Sequence, residues 1–273
     1  MKHHYSSAAL AVCFGAAGFV LRLIQDLTGF EPDTGLPVSG NIPAVLLPIL
    51  LVLAAASLYL LTRRTMPREA SEQTFAELFR LDDPIGLSAV LAGACFMAAS
   101  GILELIHTAD SAVAVSADGM EIIAADAGAG GSGVVIGVLS AAAGVCLAAG
   151  TVLCRKTNAQ PLIFLAVPVC LLARLILVYR LRSANPVLAD YYLEILGLML
   201  LILAFYRLSG FAVQAGKPGI FTFYSEYAFV LALSMLPDSF TPSKLLMLGG
   251  VLSIAGFQVM LFRGSGGRPA EFR

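Results

Sequence analysis

Eight apolar stretches, at 6–27, 42–62, 84–107, 133–154, 161–180, 187–208, 218–236 and 242–262, alternate with shorter polar segments along the chain. They run for 19–24 residues, near the ~20 that a helix needs to cross a ~30 Å hydrocarbon core. The separators carry chain breakers, among them Glu31-Pro32-Asp33-Thr34-Gly35, Asn185-Pro186, Lys217-Pro218-Gly219 and Pro237-Asp238. The pattern predicts an all-α integral membrane protein. Residues 1–273 form one transmembrane domain, a bundle of about eight helices.

The basic residues set an orientation. Lys2, Arg63, Arg64, Arg68, Arg80, Arg155, Lys156, Arg207, Lys217, Arg263, Arg268 and Arg273 fall in alternate segments, 12 of the 17 basic residues in the chain. The opposite segments hold Arg180 and Arg182, with Lys244 opening the last run, while Arg22 and Arg174 lie within runs. Positive charge stays on the cytoplasmic side of a membrane protein. Both termini are therefore expected in the cytoplasm, which calls for an even number of spans. The segment 63–83 becomes a cytoplasmic loop. In it Ser71 can cap a short amphipathic helix that lies on the inner leaflet by Phe75, Leu78 and Phe79. Residues 263–273 form a cytoplasmic tail, and 108–132, with Asp110, Asp118, Glu121 and Asp126 and no Lys or Arg, an acidic external loop.

Composition supports lipid as the solvent. The chain is 58% hydrophobic and 13% charged, half the roughly 25% charge of a soluble domain. A net charge of −1 provides no basic field for nucleic acid. Tryptophan is absent, which leaves any interfacial belt to Tyr and Phe. Cys13, Cys95, Cys146, Cys154 and Cys170 form no CxxC or Cys/His grouping and read as structural residues. The first run follows Lys2 as a signal peptide would. No small-x-small site closes it, and it continues into Arg22-Leu23-Ile24-Gln25-Asp26, so a retained helix is expected.

The two halves share a faint order of matches. Leu21-Arg22-Leu23-Ile24 pairs with Ala173-Arg174-Leu175-Ile176, and Tyr59 with Arg63 pairs with Tyr206-Arg207. Pro84-Ile85-Gly86 pairs with Pro218-Gly219-Ile220, and Gly137-Val138-Leu139-Ser140 with Gly250-Val251-Leu252-Ser253. A duplication would make 6–154 and 161–262 two parallel four-helix repeats. The competing explanation is chance, because these residue types are common in any membrane helix.

Charges inside apolar runs are costly and therefore informative, at ~2.5–3.5 kcal/mol each at a helix centre. Arg22, Gln25 and Asp26 share a face by spacing, as do Glu104 with His107, and Asp190 and Tyr191 with Glu194. With Arg174 they fall at one depth in the outer half of the membrane. They would suit an outward-opening polar cavity, with Arg22 and Arg174 facing Glu104 and Glu194. The alternatives are snorkelling to the headgroups and a buried Arg–Glu clamp that binds nothing. Arg174 and Glu194 lie at similar depth on neighbouring runs and are expected to interact. Glu226 lies ~12 Å into the seventh run. It reads as a proton or cation relay, or as a neutral acid hydrogen-bonded between helices. The Gly133–Gly150 run, with Gly133-x-x-x-Gly137 and Gly144-x-x-x-Ala148, reads as close helix packing, within the chain or between protomers.

No HExxH, GxSxG, GxxxxGK[ST] or metal-spaced cluster occurs, so neither catalytic residue nor metal nor cofactor is assigned. Tyr191-Tyr192-Leu193-Glu194 with Ala204-Phe205-Tyr206-Arg207-Leu208-Ser209-Gly210-Phe211, and Phe30-Glu31-Pro32-Asp33-Thr34-Gly35-Leu36-Pro37, resemble segments of uncharacterised polytopic membrane proteins of Gram-positive bacteria. The resemblance implies a bacterial inner membrane and an even-spanning bundle, and carries no activity. Three function classes follow. The first is binding or transport of a small solute through the outer cavity. The second is a membrane assembly or sensor component with a membrane partner protein, whose polar residues are structural. The third is an intramembrane enzyme.

Overall fold

The computed structural model describes residues 2–29, 41–65, 75–79, 83–117, 127–157, 162–182, 191–211, 216–237 and 240–265. They form α1 (Lys2–Thr28), α2 (Ile42–Thr65), α3 (Phe75–Phe79), α4 (Pro84–Ala117), α5 (Ala127–Thr157), a 3-10 turn (Leu162–Leu165), α6 (Ala166–Arg182), α7 (Tyr192–Gly210), α8 (Pro218–Ser234) and α9 (Pro242–Ser265). No strand occurs among the described residues. Glu31, Asp33, Arg68, Ser71, Asp118, Glu121, Asp126, Asp190 and the tail from 266 lie outside them.

Seven of these helices are long and apolar enough to cross a membrane: α1, α2, α4, α5, α6 with the turn before it, α7 and α9. Their outer faces carry Val45, Val52, Leu53, Phe96, Ile102, Val138, Val145, Val169 and Ile176, all exposed. In water such a surface would be an aggregation hazard, whereas in lipid it meets its own kind. The chain is a multi-pass membrane protein.

Side-chain contacts fix the helix directions. Ser7, Gly15 and Gly18 on α1 meet Glu226, Leu233 and Ser234 on α8, so these two run parallel. Gly86 and Gly93 on α4 meet Gly256 and Gly249 on α9, and Gly101 and Gly144 meet Gly137 and Ala94 across α4 and α5, so both pairs are antiparallel. Gly197 and Gly250 set α7 parallel to α9 through Met247 and Leu201. Tyr59 on α2 meets Phe223 on α8, and Leu50 meets Gly18, so α2 runs against both. Ser140 and Gly150 on α5 meet Arg174 and Ile163 on the α6 segment, and Gln258 on α9 meets Glu226 while Met247 and Met235 share Gly197, so α6 runs against α5 and α8 against α9, and the eight long helices alternate in direction. One end of the bundle collects Arg63, Arg64, Arg207, Lys217 and Arg263 and is the basic end. There Arg263 at the close of α9 pairs with Asp83 at the head of α4, at 2.6 Å.

α9 is the central helix, with 67% of its apolar stretch buried, against 22% for α2 at the periphery. It packs on α3, α4, α7 and α8, while α8 packs on α1, α2, α7 and α9. The small residues of α5 are spent inside the chain. A Cβ on Gly144 would lie 2.6 Å from the Ala94 carbonyl of α4, and one on Gly133 2.6 Å from Thr108. The stripe is a helix–helix seam in one protomer, as close-approach motifs provide.

Three boundaries differ from expectation. α4 continues to Ala117 and α5 starts at Ala127, so much of the expected 108–132 loop is helical. The alanines at 109, 112, 114 and 117 supply the propensity. The fifth run opens with a 3-10 turn because Pro168 has no N–H for the Phe164 carbonyl, and its ring crowds that carbonyl. α3 forms, but its apolar face meets protein. Phe79 is fully buried, with Phe211, Phe221 and Phe257 ring to ring at 5.3, 6.3 and 5.6 Å. Phe75 meets Phe164 and Phe257. The mouth of the bundle at the basic end offers aromatic edges, so the short helix plugs it and does not face outward.

Candidate functional site

Arg174 is 1% exposed and cannot shed its charge, so its donors must be met by neighbours. Nη1 donates to Ser140 Oγ on α5 and, at 3.5 Å, to the Ile136 carbonyl. Nη2 donates to Ser243 Oγ on α9 at 2.8 Å and stands 3.8 Å from the Glu104 carboxylate on α4. Nε is buried, with no hydrogen-bond partner among the described residues. Glu194 on α7, 8% exposed, acts on Arg174 through space as a second negative charge. Four helices around α6 therefore converge on one guanidinium, at the end of the bundle away from the basic rim.

A second cation belongs to this level. Lys244 follows Ser243 in the first turn of α9 and is 6% exposed. The parallel register that sets Gly197 against Met247 places Lys244 level with Glu194. The group thus holds Arg174 against Glu104 and Glu194, with Lys244 at the same depth. Glu104, at 25% exposed, is its most open member. A buried ion pair at 3.8 Å with hydroxyl neighbours is a modest source of stability. Charges in such a place either hold a specific helix arrangement or receive a ligand.

The remaining candidates divide. Arg22 is buried and stands 3.5 Å from Asp26 on the same helix. Gln25 beside it is buried, with Oε1 unbonded among the described residues. α1 packs chiefly on α2 and α8, whereas the hydrogen-bond partners of Arg174 come from α5 and α9. His107 is exposed, and Tyr191 is buried where α7 begins.

Glu226 lies midway along α8, 3% exposed. Its Oε1 accepts from Ser7 Oγ of α1 at 2.6 Å and from Gln258 Nε2 of α9 at 3.1 Å. Glu226 thus joins three helices. Its other oxygen, Oε2, and Thr222 Oγ1 one turn earlier are buried without hydrogen-bond partners among the described residues.

Sequence reasoning picked the charged members and missed their neutral partners, Ser140, Ser243, Ser7 and Gln258, and it read Lys244 as a helix-end residue. Serine is ordinary in membrane helices, and only the demand of a buried guanidinium or carboxyl marks one serine from another. Among the described residues no group of three or more His, Cys, Asp or Glu could hold a metal ion. Protein-family models, characterised proteins and solved structures offer no match to this chain, so its function rests on its own residues.

Proposed function

We propose that the chain binds a small polar solute at the Arg174 group and passes it across a bacterial inner membrane. All eight long helices span the membrane, with both termini in the cytoplasm and the Arg174 group in the outer half. The observation that carries this reading is an unmet donor on Arg174. Among the described residues its Nε–H has no acceptor, and its carboxylate contact with the partly open Glu104 is 3.8 Å. Two cations and two carboxylates at one level favour a solute that itself carries both signs. Its anionic group would meet the free guanidinium edge, and its cationic group would meet Glu104.

The second reading, a membrane assembly or sensor component, is supported by the tie that Arg174 makes between α5, α6 and α9. The small residues Gly133, Gly137 and Gly144 of α5 offer it no partner surface, because α4 occupies them. An intramembrane enzyme has no residue speaking for it beyond the Glu226 group.

The test is a thermal-shift and equilibrium-binding screen of detergent-purified protein with small zwitterions and with singly charged analogues. Zwitterions should stabilise the wild type and not Arg174→Gln, and Glu104→Gln should weaken the response. If no solute of either kind shifts the melting point while the two substitutions are strongly coupled in stability, the clamp is the correct reading.

A further inference from the structure

The Glu226 group is independent of the Arg174 group: it joins α1, α8 and α9, about four turns along α9 from Ser243 toward the basic end, and needs no solute. It contains a carboxyl buried among neutral groups. Oε1 is held by two neutral donors, Ser7 and Gln258. Among the described residues the influences on the carboxyl are burial and these two bonds, with no charged side chain.

The helices packed on α8 are α1, α2, α7 and α9. Their charged groups stand nearer the helix ends: Arg22 and Asp26 on α1, Arg63 and Arg64 on α2, Glu194 and Arg207 on α7, Lys244 and Arg263 on α9. Lys217 opens α8 itself. The tyrosines on these elements are Tyr59, Tyr192, Tyr206, Tyr224 and Tyr227. The side chains of Lys2, His3, His4 and Tyr5 at the start of α1 lie outside the described residues.

A carboxylate with no cation beside it is expensive in an apolar interior, and a buried acceptor left unbonded adds its own cost. Oε2 carries both costs if Glu226 is ionised. A single proton removes them: it cancels the charge and turns Oε2 from an empty acceptor into a donor. An acceptor stands on the same face one turn back, since Thr222 Oγ1 is fully buried and unbonded. The two can meet by side-chain rotation, with no change of backbone. Ser7, already bonded to Oε1, lies near the start of α1 and offers a hydroxyl through which a proton can be handed on from that end.

We propose that Glu226 is a proton-binding site of the bundle, loaded and unloaded from the basic end along the Ser7 face of α1. Uptake forms one O–H bond and removes one negative charge: Ser7 Oγ passes its proton to Oε1 and takes another from a hydronium ion, which leaves as water, and rotation of the carboxyl then turns the new O–H toward Thr222. Release breaks that bond and restores the charge, and nothing is oxidised or reduced. Ionisation then leaves a bare carboxylate at the junction of α1, α8 and α9, just above the ring cluster of Phe221, Phe257 and Phe79. The junction holds together best when the proton is in place, so protonation couples to how tightly α1 and α9 close on α8.

Infrared difference spectroscopy of the purified wild-type protein tests this, with Glu226→Gln as the reference. The wild type should show the carbonyl band of an un-ionised carboxyl that Glu226→Gln lacks. The band should fade reversibly as pH is raised while the circular dichroism stays helical. Ser7→Ala should move the band, because Oε1 loses a donor, and this variant keeps the assignment testable if Glu226→Gln does not fold. The proposal fails if the band is absent at every pH, which means a permanently ionised group. It fails also if the band persists until the protein unfolds, which means a locked neutral acid. A third contrary result is a band that responds to sodium against choline at fixed pH, which means a metal-cation site.

Discussion

Gly93 and Gly249 meet backbone against backbone: a Cβ on Gly249 would lie 2.6 Å from the Gly93 carbonyl oxygen and 2.8 Å from the Met97 nitrogen. Neither atom is the end of a flexible side chain, so neither can give way cheaply. Gly249→Ala should cost about 1–3 kcal/mol through overpacking, and Gly249→Leu should part α4 from α9 altogether. Gly131→Ala is the control, since nothing lies within 4 Å of its Cβ position. In a helix it should be neutral or stabilising by up to ~1 kcal/mol. Melting of detergent-solubilised variants decides, and a Gly249→Ala protein as stable as Gly131→Ala would contradict the α4–α9 contact.

Arg174 and Glu104 form the described ion contact of the far group, at 3.8 Å. Removing one member of a buried pair typically costs 3–5 kcal/mol, because the other is stranded. Arg174→Ala should fall in that range. Glu104→Ala should cost less, because Glu104 is partly open to solvent and water can take over part of its role. The double variant should lose less than the sum, and so should Arg174→Ala with Glu194→Ala if Glu194 shares the charge. Strictly additive losses in both cycles would show that the three residues act independently.

Asp83 has two roles with different costs. Its Oδ2 accepts from the Gly86 backbone N–H at 3.2 Å, capping α4, while Oδ1 pairs with Arg263. Arg263 is 47% exposed, so the pair should contribute no more than ~1 kcal/mol and should weaken in salt. Loss of an N-cap costs about 0.5–2 kcal/mol. Arg263→Ala and Asp83→Asn should therefore be mild and similar, whereas Asp83→Ala should be clearly worse at every salt concentration. Chemical or thermal unfolding at low and high salt separates the two roles, and equal effects of Asp83→Asn and Asp83→Ala would remove the cap from the account.

The helices were largely legible in the chain, because each apolar run must satisfy its own backbone in lipid and only a helix does so. Their boundaries followed from breakers such as Pro84, Pro218 and Pro242. The exceptions were Ala-rich residues 109–117, where polarity suggested loop and propensity favoured helix. Burial was not legible. The runs that become α6 and α9 share a mean hydropathy of 2.1, yet 33% of one apolar stretch is buried and 67% of the other. Lipid and protein interior are equally apolar, so hydrophobicity cannot distinguish the faces. Charge was the exception: Arg174 and Glu226 stood out because their cost in lipid demands partners. The partners did not stand out, since Glu226 finds Ser7 across 219 residues of chain. The amphipathic reading of Phe75 and Phe79 located a real apolar face, and only the tertiary structure supplies Phe211, Phe221 and Phe257 to receive it.

The crossing of α8 decides the span count. α8 has 17 residues, ~26 Å by helix rise, a little short of a ~30 Å core. Length alone therefore leaves it outside the seven apolar spans. Its surroundings argue the other way. α8 is enclosed by α1, α2, α7 and α9, and most of its side chains are buried. The match to lipid thickness governs lipid-facing helices, and an enclosed helix need only match its neighbours. Its ends also lie where a span would put them, with Lys217 among the basic rim and Phe240, 70% exposed, beyond the turn that leads into α9. Lys217→Cys and Phe240→Cys, in a background freed of Cys13, Cys95, Cys146, Cys154 and Cys170, place a single thiol at each end. A membrane-impermeant maleimide added to intact cells should label Phe240→Cys and spare Lys217→Cys until the membrane is opened. Arg263→Cys should behave like Lys217→Cys, because antiparallel α8 and α9 bring both to the basic end. Labelling of both α8 probes from the same side would mean that α8 does not cross, and an odd number of spans would then separate the two termini.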